Sequence, residues 1–243
     1  MKKDLKGGKR IIKNKINVSL TEFEERKPKN PMKFPEVLFI LNQCIESQIT
    51  SFILSTNFKT DVIDPIKLVE YLVQKDMKVT VITTDIRSLL TQNISLLKSQ
   101  NVNICYLLKL DKYVNEIQLK NLFEDLDSKK LCKKVSLLVV YDDTSLNESN
   151  VNKIIQESKK IDPKQISVLK MPKSSQNESS ISAINIIEES ENINNIICSE
   201  DTIYVYINIF GDVAIIKNKR QYLLGNTKKE SIRVILNRIK TID

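Results

Sequence analysis

Short hydrophobic segments alternate with amphipathic segments at least five times between residues 37 and 171, and this alternation constrains the fold more than any other feature. The hydrophobic runs are rich in β-branched residues and almost continuous, which is typical of parallel strands covered on both faces. We predict strands over Val37–Leu41, Ser51–Ser55, Val79–Thr83, Val102–Leu108, Val135–Tyr141 and Ile166–Met171.

The intervening segments have the apolar spacing of helices. Asp64 followed by Pro65 is typical of an N-cap and a first helical position, and predicts a helix that starts there. Further helices are predicted over Ser88–Ser99, Asn115–Lys130 and Asn147–Lys160. A chain of strand–helix units of this length predicts either an open doubly wound sheet or a partial barrel, and periodicity does not distinguish the two.

The pattern changes after residue 171. Residues 172–180 are polar and rich in serine, which is typical of a linker. Ile203–Ile209 and Val213–Ile216 predict a β-hairpin, because the Gly211–Asp212 pair between them favours a tight turn. The apolar stripe of Lys228–Ile239 predicts a final helix.

Positive charge is concentrated at the start of the chain. Residues 1–33 carry eleven Lys/Arg and four Asp/Glu, a net charge of +7 out of +8 for the whole chain. The other 210 residues carry 27 basic and 26 acidic groups and are nearly neutral. We therefore interpret residues 1–33 as a basic leader that is either flexible or binds a partner such as nucleic acid.

The composition excludes several kinds of site. The chain has no histidine, four widely spaced cysteines and four glycines, none of them between residues 9 and 210. Zinc sites of the usual kinds, histidine-based nucleophilic triads and Walker phosphate loops are therefore excluded. The unpaired cysteines favour a reducing, cytoplasmic location. The longest apolar runs are about five residues, whereas a membrane helix needs about 20, so we expect no membrane span.

The C-terminal motifs resemble a known family in their order. Cys198 precedes the predicted hairpin with Gly211–Asp212, and Leu224–Asn226 (Leu-Gly-Asn) precedes the apolar segment Ser231–Leu236. This order is similar to the C-terminal extension of radical S-adenosylmethionine (radical SAM) enzymes, called the SPASM or twitch domain. The resemblance implies an α/β fold: a partial (β/α)6 TIM-like barrel of parallel strands over residues 34–172, and an extension with a small β-hairpin and helix over residues 173–243.

The residues that carry the family's chemistry are missing. The family's cluster is held by a Cys-x3-Cys-x2-Cys loop after the first strand, because thiolates are its ligands. If Val37–Leu41 is that strand, Cys44 begins the pattern, but Gln48 and Ser51 occupy the next two positions. The family's Gly-Gly-Glu after the second strand is replaced here by Ser55, Thr56 and Asn57. These six residues are the vestigial cofactor positions.

A barrel without its cofactor residues suggests a pseudoenzyme. The resemblance implies a non-catalytic protein without a cofactor. It would bind a peptide or protein partner, such as a catalytic homologue, as a scaffold or accessory subunit. Tyr204 and Tyr206 are candidates for partner contacts, because an exposed edge of their hairpin could accept an extended strand. The alternative is an ordinary core hairpin packed under the final helix.

Two other functions remain open. Asp142 and Asp143 follow a predicted strand, and Asp85 follows another, at the ends where ligands of α/β folds bind. These carboxylates could support metal-dependent or acid–base chemistry at the barrel mouth. A turn for the pair and a helix N-cap for Asp85 are the structural alternatives. The third function is nucleic-acid binding through residues 1–33.

Overall fold

The computed structural model describes residues 15–20, 31–56, 63–91, 94–110, 116–142, 148–160, 163–171, 202–217 and 220–241. Its strands are β1 (Lys15–Leu20), β2 (Ser51–Ser55), β3 (Lys78–Thr83), β4 (Val102–Leu110), β5 (Val135–Asp142), β6 (Gln165–Met171), β7 (Thr202–Ile207), β8 (Asp212–Lys217) and β9 (Arg220–Asn226). Its α-helices are α1 (Phe34–Glu46), α2 (Pro65–Gln74), α3 (Ile86–Leu90), α4 (Ile94–Leu97), α5 (Glu116–Ser128), α6 (Glu148–Lys160) and α7 (Ile232–Asn237).

Within these residues the strands form one nine-stranded sheet in the order β6-β5-β4-β3-β2-β1-β7-β8-β9. Strands β1 to β6 follow one another in chain order and are parallel, with helices in the connections. β7 adds parallel to β1, and β8 and β9 continue the sheet antiparallel. The fold is therefore α/β, consistent with a partial TIM-like barrel followed by a C-terminal hairpin and helix, as predicted.

Strand β1 lies inside the segment predicted to be a leader. Val18 and Leu20 are fully buried, and β1 hydrogen-bonds to β2 on one side and to β7 on the other. The interpretation of residues 1–33 as a flexible leader is therefore wrong for Lys15–Leu20. The alternation of Ile16, Val18 and Leu20 with polar residues is a strand pattern, and the lysines around it obscured this signal.

Helix α1 replaces the strand predicted over Val37–Leu41, and that prediction is wrong. Val37, Ile40, Leu41 and Cys44 are buried on one face with helical spacing. The Glu36 carboxylate accepts a hydrogen bond from the Lys33 N–H at 2.6 Å, which satisfies an amide at the start of the helix. A five-residue apolar run fits a strand and a buried helical turn equally well. Here the burial of one helical face makes the segment a helix.

The next five strands occupy their predicted positions to within two residues. The helix predicted over Ser88–Ser99 is instead two short helices, α3 and α4. The Leu-Gly-Asn motif, Leu224–Asn226, forms the end of β9. The proposed division between barrel and extension falls at residues 172–173, outside the described residues, and stays a prediction.

The two faces of the sheet differ in what covers them. Alternate strand residues such as Val18, Phe52, Val81 and Ile104 pack with residues of the helices in one large hydrophobic core. The opposite, inner face carries the residues between them. No helix of the described part is long and apolar enough to cross a membrane.

Candidate functional site

The carboxyl ends of β2 and β3 meet at one edge of the sheet. Ser55 and Thr83 end these strands and are 3% and 1% exposed. The Thr56 hydroxyl donates to the Thr83 hydroxyl oxygen at 3.2 Å and joins the two strand ends. The structure thus brings two of the predicted positions, Ser55 and Thr56, to the mouth of the barrel, while Asn57 lies outside the described residues.

Asp85 forms the N-cap of α3. Its Oδ1 accepts a hydrogen bond from the Ser88 N–H at 3.0 Å, and its own N–H donates to the Thr83 hydroxyl oxygen at 3.1 Å. The N-cap alternative is therefore confirmed. The carboxylate is exposed and serves the local backbone, so nothing in its contacts marks it as a catalytic group.

Tyr106 lies beside Asp85 and was missed by the sequence analysis. It pairs with Thr83 in the β3–β4 register and is 8% exposed. Burial raises the pKa of the phenol above its usual value, and the Asp85 carboxylate raises this pKa further. The positive charge of Arg87 lowers the pKa of Tyr106. The phenol is therefore protonated at neutral pH, and it belongs to the hydrophobic core on the helix-covered face of the sheet.

The predicted carboxylate pair is only partly described. Asp142 is the last residue of β5 and pairs with Met171 of β6 in the register. The position of its side chain and all of Asp143 lie outside the described residues. A role for this pair stays a prediction. Among the residues that the structure describes, no group of three or more Cys, Asp or Glu is arranged to hold a metal ion.

The inner face below the mouth is largely apolar and closed. Ser55, Ile82, Cys105 and Ser136 lie side by side across β2 to β5, and each is at most 6% exposed. The next inner-face positions on β4 and β5 are buried and aliphatic: Leu107, Leu138 and Val140. Buried side chains thus line this face of the sheet.

A second polar group lies on the inner face, nearer the amino ends of the strands. Asn17 of β1 pairs with Tyr204 of β7, and its side-chain N–H donates to the Tyr204 hydroxyl oxygen at 3.3 Å. Asn17 is 6% exposed, and its Oδ1 has no hydrogen-bond partner among the described residues. Such an orphaned acceptor is uncommon in a native interior.

Tyr206 follows two residues later on the same face and pairs with Ser19 of β1. Both residues are 2% exposed. Tyr206 is therefore not presented to solvent, and the hairpin edge proposed for it is not open, because β7 is covered by β1 on one side and by β8 on the other. Within the described sheet, the strand at that end is β9.

The vestigial cluster positions do not lie in one loop, which corrects their assignment. Cys44 is buried on α1, Gln48 lies in the turn after α1 with a φ of 65°, and Ser51 begins β2. The assignment failed because it took α1 for the first strand. With β1 as the first strand, the corresponding segment is residues 21–33, which contain no cysteine.

Two cysteine thiols of the core are uncharged. Cys44 and Cys105 are fully or almost fully buried, and burial raises the pKa of each thiol to about 12. Both are therefore neutral thiols at pH 7, whereas the thiolate is the metal ligand and the nucleophile. The residues at the mouth and around β1 do not fit an iron–sulfur cluster.

A network of hydrogen bonds fixes the turn between β7 and β8. Gly211 has a φ of 83°, a conformation that favours glycine. The Asn208 Oδ1 accepts from the N–H groups of Phe210 and Asp212 at 3.0 and 2.9 Å. The Met32 N–H, just before α1, donates to the Ile209 carbonyl at 2.7 Å. Met32 thus ties the start of α1 to the predicted Gly-Asp turn.

Asn226, at the end of β9, holds the same turn. The Asn226 amide donates to Asp212 Oδ1 at 2.7 Å and to the Phe210 carbonyl at 3.2 Å. In the β8–β9 register Val213 pairs with Gly225 and Ala214 pairs with Leu223, so Leu224 lies between two paired residues as a bulge. The Arg238 guanidinium donates a hydrogen bond to the Leu224 carbonyl oxygen at 2.5 Å. The two motifs that the sequence analysis identified separately therefore form one structural unit.

Comparisons with known proteins support the architecture. No protein-family model matches the sequence, and no curated protein matches it either. Among solved structures, the chain is similar to Streptococcus suis SuiB bound to S-adenosylmethionine, with a TM-score of 0.56 and 13% sequence identity. The fold resembles that of a radical SAM enzyme. The match covers 90% of this chain and 62% of SuiB, so this chain spans less than two thirds of that protein's length.

Proposed function

We propose that this chain is a radical SAM-like pseudoenzyme that binds a peptide or protein partner. The observation that carries the proposal is the position of β1. It makes residues 21–33 the counterpart of the cluster loop, and these residues contain no cysteine. Cys44 and Cys105 cannot substitute, because the cluster needs three thiolates and these two cysteines lie buried on different elements, α1 and β4.

The mouth gives the proposal a second support. In the family, glycines after the second strand let the backbone approach S-adenosylmethionine. Here Ser55 is buried, and the Thr56 hydroxyl is hydrogen-bonded to Thr83. Side chains at these positions take the space that close approach requires. We therefore assign no step of a reaction to S-adenosylmethionine in this protein.

The hydrogen-bonded turn in the C-terminal part of the chain supports a partner-binding role. The C-terminal unit retains its turn network, which includes Asn208, Asp212 and Asn226, although the cluster positions are lost. Buried polar networks with matched partners stabilise one specific arrangement of the backbone. A rigid C-terminal unit on a barrel without cofactor residues suits recognition of another chain, and we place that recognition in the cytoplasm.

The remaining alternatives have weaker support. Metal-dependent chemistry at the mouth depends on Asp142 and Asp143, since Asp85 is engaged as an N-cap. Nucleic-acid binding through residues 1–33 would have to use a segment whose residues Lys15–Leu20 belong to the sheet. A catalytic homologue remains one candidate for the protein partner.

Peptide selection tests the proposal. The full chain is used as bait for a phage-displayed library of random peptides, with an unrelated basic protein as control bait. Enriched peptides are then synthesised and titrated. We expect a peptide family that binds this chain and not the control, and no saturable binding of S-adenosylmethionine in equilibrium dialysis. Saturable binding of S-adenosylmethionine, or the absence of any enriched family, would contradict the proposal.

A further inference from the structure

The outer edge of β9 has main-chain groups that face away from the sheet. β9 is the last strand of the described sheet. The Asn208 N–H donates to the Asp212 carbonyl, and hydrogen-bonded pairs alternate along an antiparallel ladder. Counted along the β8–β9 register, the main-chain N–H and C=O groups of Tyr222 point toward β8. Those of Gln221 and Leu223 point away from the sheet.

The side chains at this edge do little to protect it. Leu223 is 68% exposed, the highest exposure of any large hydrophobic residue in the described part, and its neighbour Gln221 is also exposed. Edge strands of native sheets are usually protected by charges, prolines or covering segments. An exposed leucine between outward main-chain groups is instead typical of an edge that pairs with another strand.

The segment of the chain that carries this edge is basic. Residues 202–241 contain eight Lys/Arg and two Asp/Glu, a net charge of +6. Both acidic residues are already engaged: Asp212 by Asn226, and Glu230 by Arg238 in a two-pronged ion pair at 2.6 Å. Lys229 and Arg233 are exposed. The net charge of this segment therefore favours an acidic partner and disfavours a basic one.

We infer that the outer edge of β9 binds an extended acidic peptide segment as an additional strand, with an apolar side chain of that segment against Leu223. This inference rests on the proposed function and adds the place and the chemistry of the partner. Main-chain hydrogen bonds to Gln221 and Leu223 would supply affinity, and the net positive charge of residues 202–241 would select the acidic sequence.

The probe is a fluorescein-labelled peptide of alternating valine and glutamate, measured by fluorescence anisotropy with the full chain. We expect saturable binding that weakens with added salt, and much weaker binding of the valine–lysine counterpart. Leu223→Pro removes an outward N–H and should weaken binding at least about tenfold. Phe39→Ala removes another exposed hydrophobic side chain, 63% exposed on α1, and should leave binding unchanged.

A second reagent keeps the test valid if Leu223→Pro fails to fold. The same peptide with alternate amides N-methylated cannot pair as a strand along its modified edge, and should bind the unmodified chain at least about tenfold more weakly. Equal binding of the methylated and unmethylated peptides would overturn the inference. Library-selected peptides that bind wild type and Leu223→Pro equally would also overturn it, while leaving the proposed function intact.

Discussion

Replacing Val18 by aspartate is expected to destabilise the native state by about 4 kcal/mol, because the charge would be placed in the core next to the centre of the sheet. Val18 is fully buried and lies between Phe52 of β2 and Val205 of β7 in the register. The free energy of unfolding is measured by urea denaturation monitored by circular dichroism.

Val234→Asp is the matched control. Val234 lies on α7 and is 48% exposed, so the same substitution there should change the free energy of unfolding by about 0.5 kcal/mol or less. A Val18→Asp protein as stable as the Val234→Asp protein would show that Lys15–Leu20 is not a central strand. The reassignment of the cluster loop to residues 21–33 would then fail as well.

Gly225→Ala is expected to destabilise the protein by about 1.5 kcal/mol, because the side chains that it displaces are flexible and partly exposed. A Cβ at this position would overlap a carboxylate oxygen of Glu230 and lie 2.7 Å from a guanidinium nitrogen of Arg238. Both side chains would have to move, which would break their ion pair and the hydrogen bond from Arg238 to the Leu224 carbonyl. Urea denaturation again gives the change in free energy.

A double-mutant cycle with Arg238→Ala isolates the cause. If the clash with Arg238 is responsible, Gly225→Ala should cost at least about 1 kcal/mol less in the Arg238→Ala background than in wild type. Gln221→Ala, on an exposed residue of the same strand, should be nearly neutral. Additive effects of Gly225→Ala and Arg238→Ala would contradict this explanation.

The sequence predicts much of the barrel because its strands are locally encoded. β2 to β6 are short β-branched runs flanked by polar residues, so they are recognised without knowledge of their neighbours. The helix α2 begins at its predicted Asp64–Pro65 cap, and the Asp64 side chain accepts from the Ile66 N–H at 2.9 Å. Local propensity and tertiary packing agree in these elements.

The wrong predictions concern segments whose secondary structure depends on contacts with residues far away in the sequence. The five apolar residues Val37–Leu41 suit either element, and burial against the sheet makes them helical. β1 is recognisable only once its partners β2 and β7 are known, because six residues in a lysine-rich segment give a weak signal. No sequence pattern predicts that β7, separated from β1 by more than 180 residues, pairs with it.

The candidate site was predictable to a similar degree. Ser55 and Thr56 were placed correctly at the end of the second strand, because that strand was recognised. Asn17 and Tyr106 were missed, since their roles depend on neighbours in other strands. The position of β9 at the end of the described sheet was also hidden, because an edge is a property of strand order and not of local sequence.

Iron and sulfide content after anaerobic reconstitution tests the central claim most directly. The full chain is incubated with ferrous iron, sulfide and a reductant, freed of excess reagents by gel filtration, and assayed for both elements. We predict far less than one iron per chain, and no difference between wild type and a Cys44→Ala variant. About four irons and four sulfides per chain, lost on replacing cysteines, would show that the chain holds a cluster and would contradict the claim.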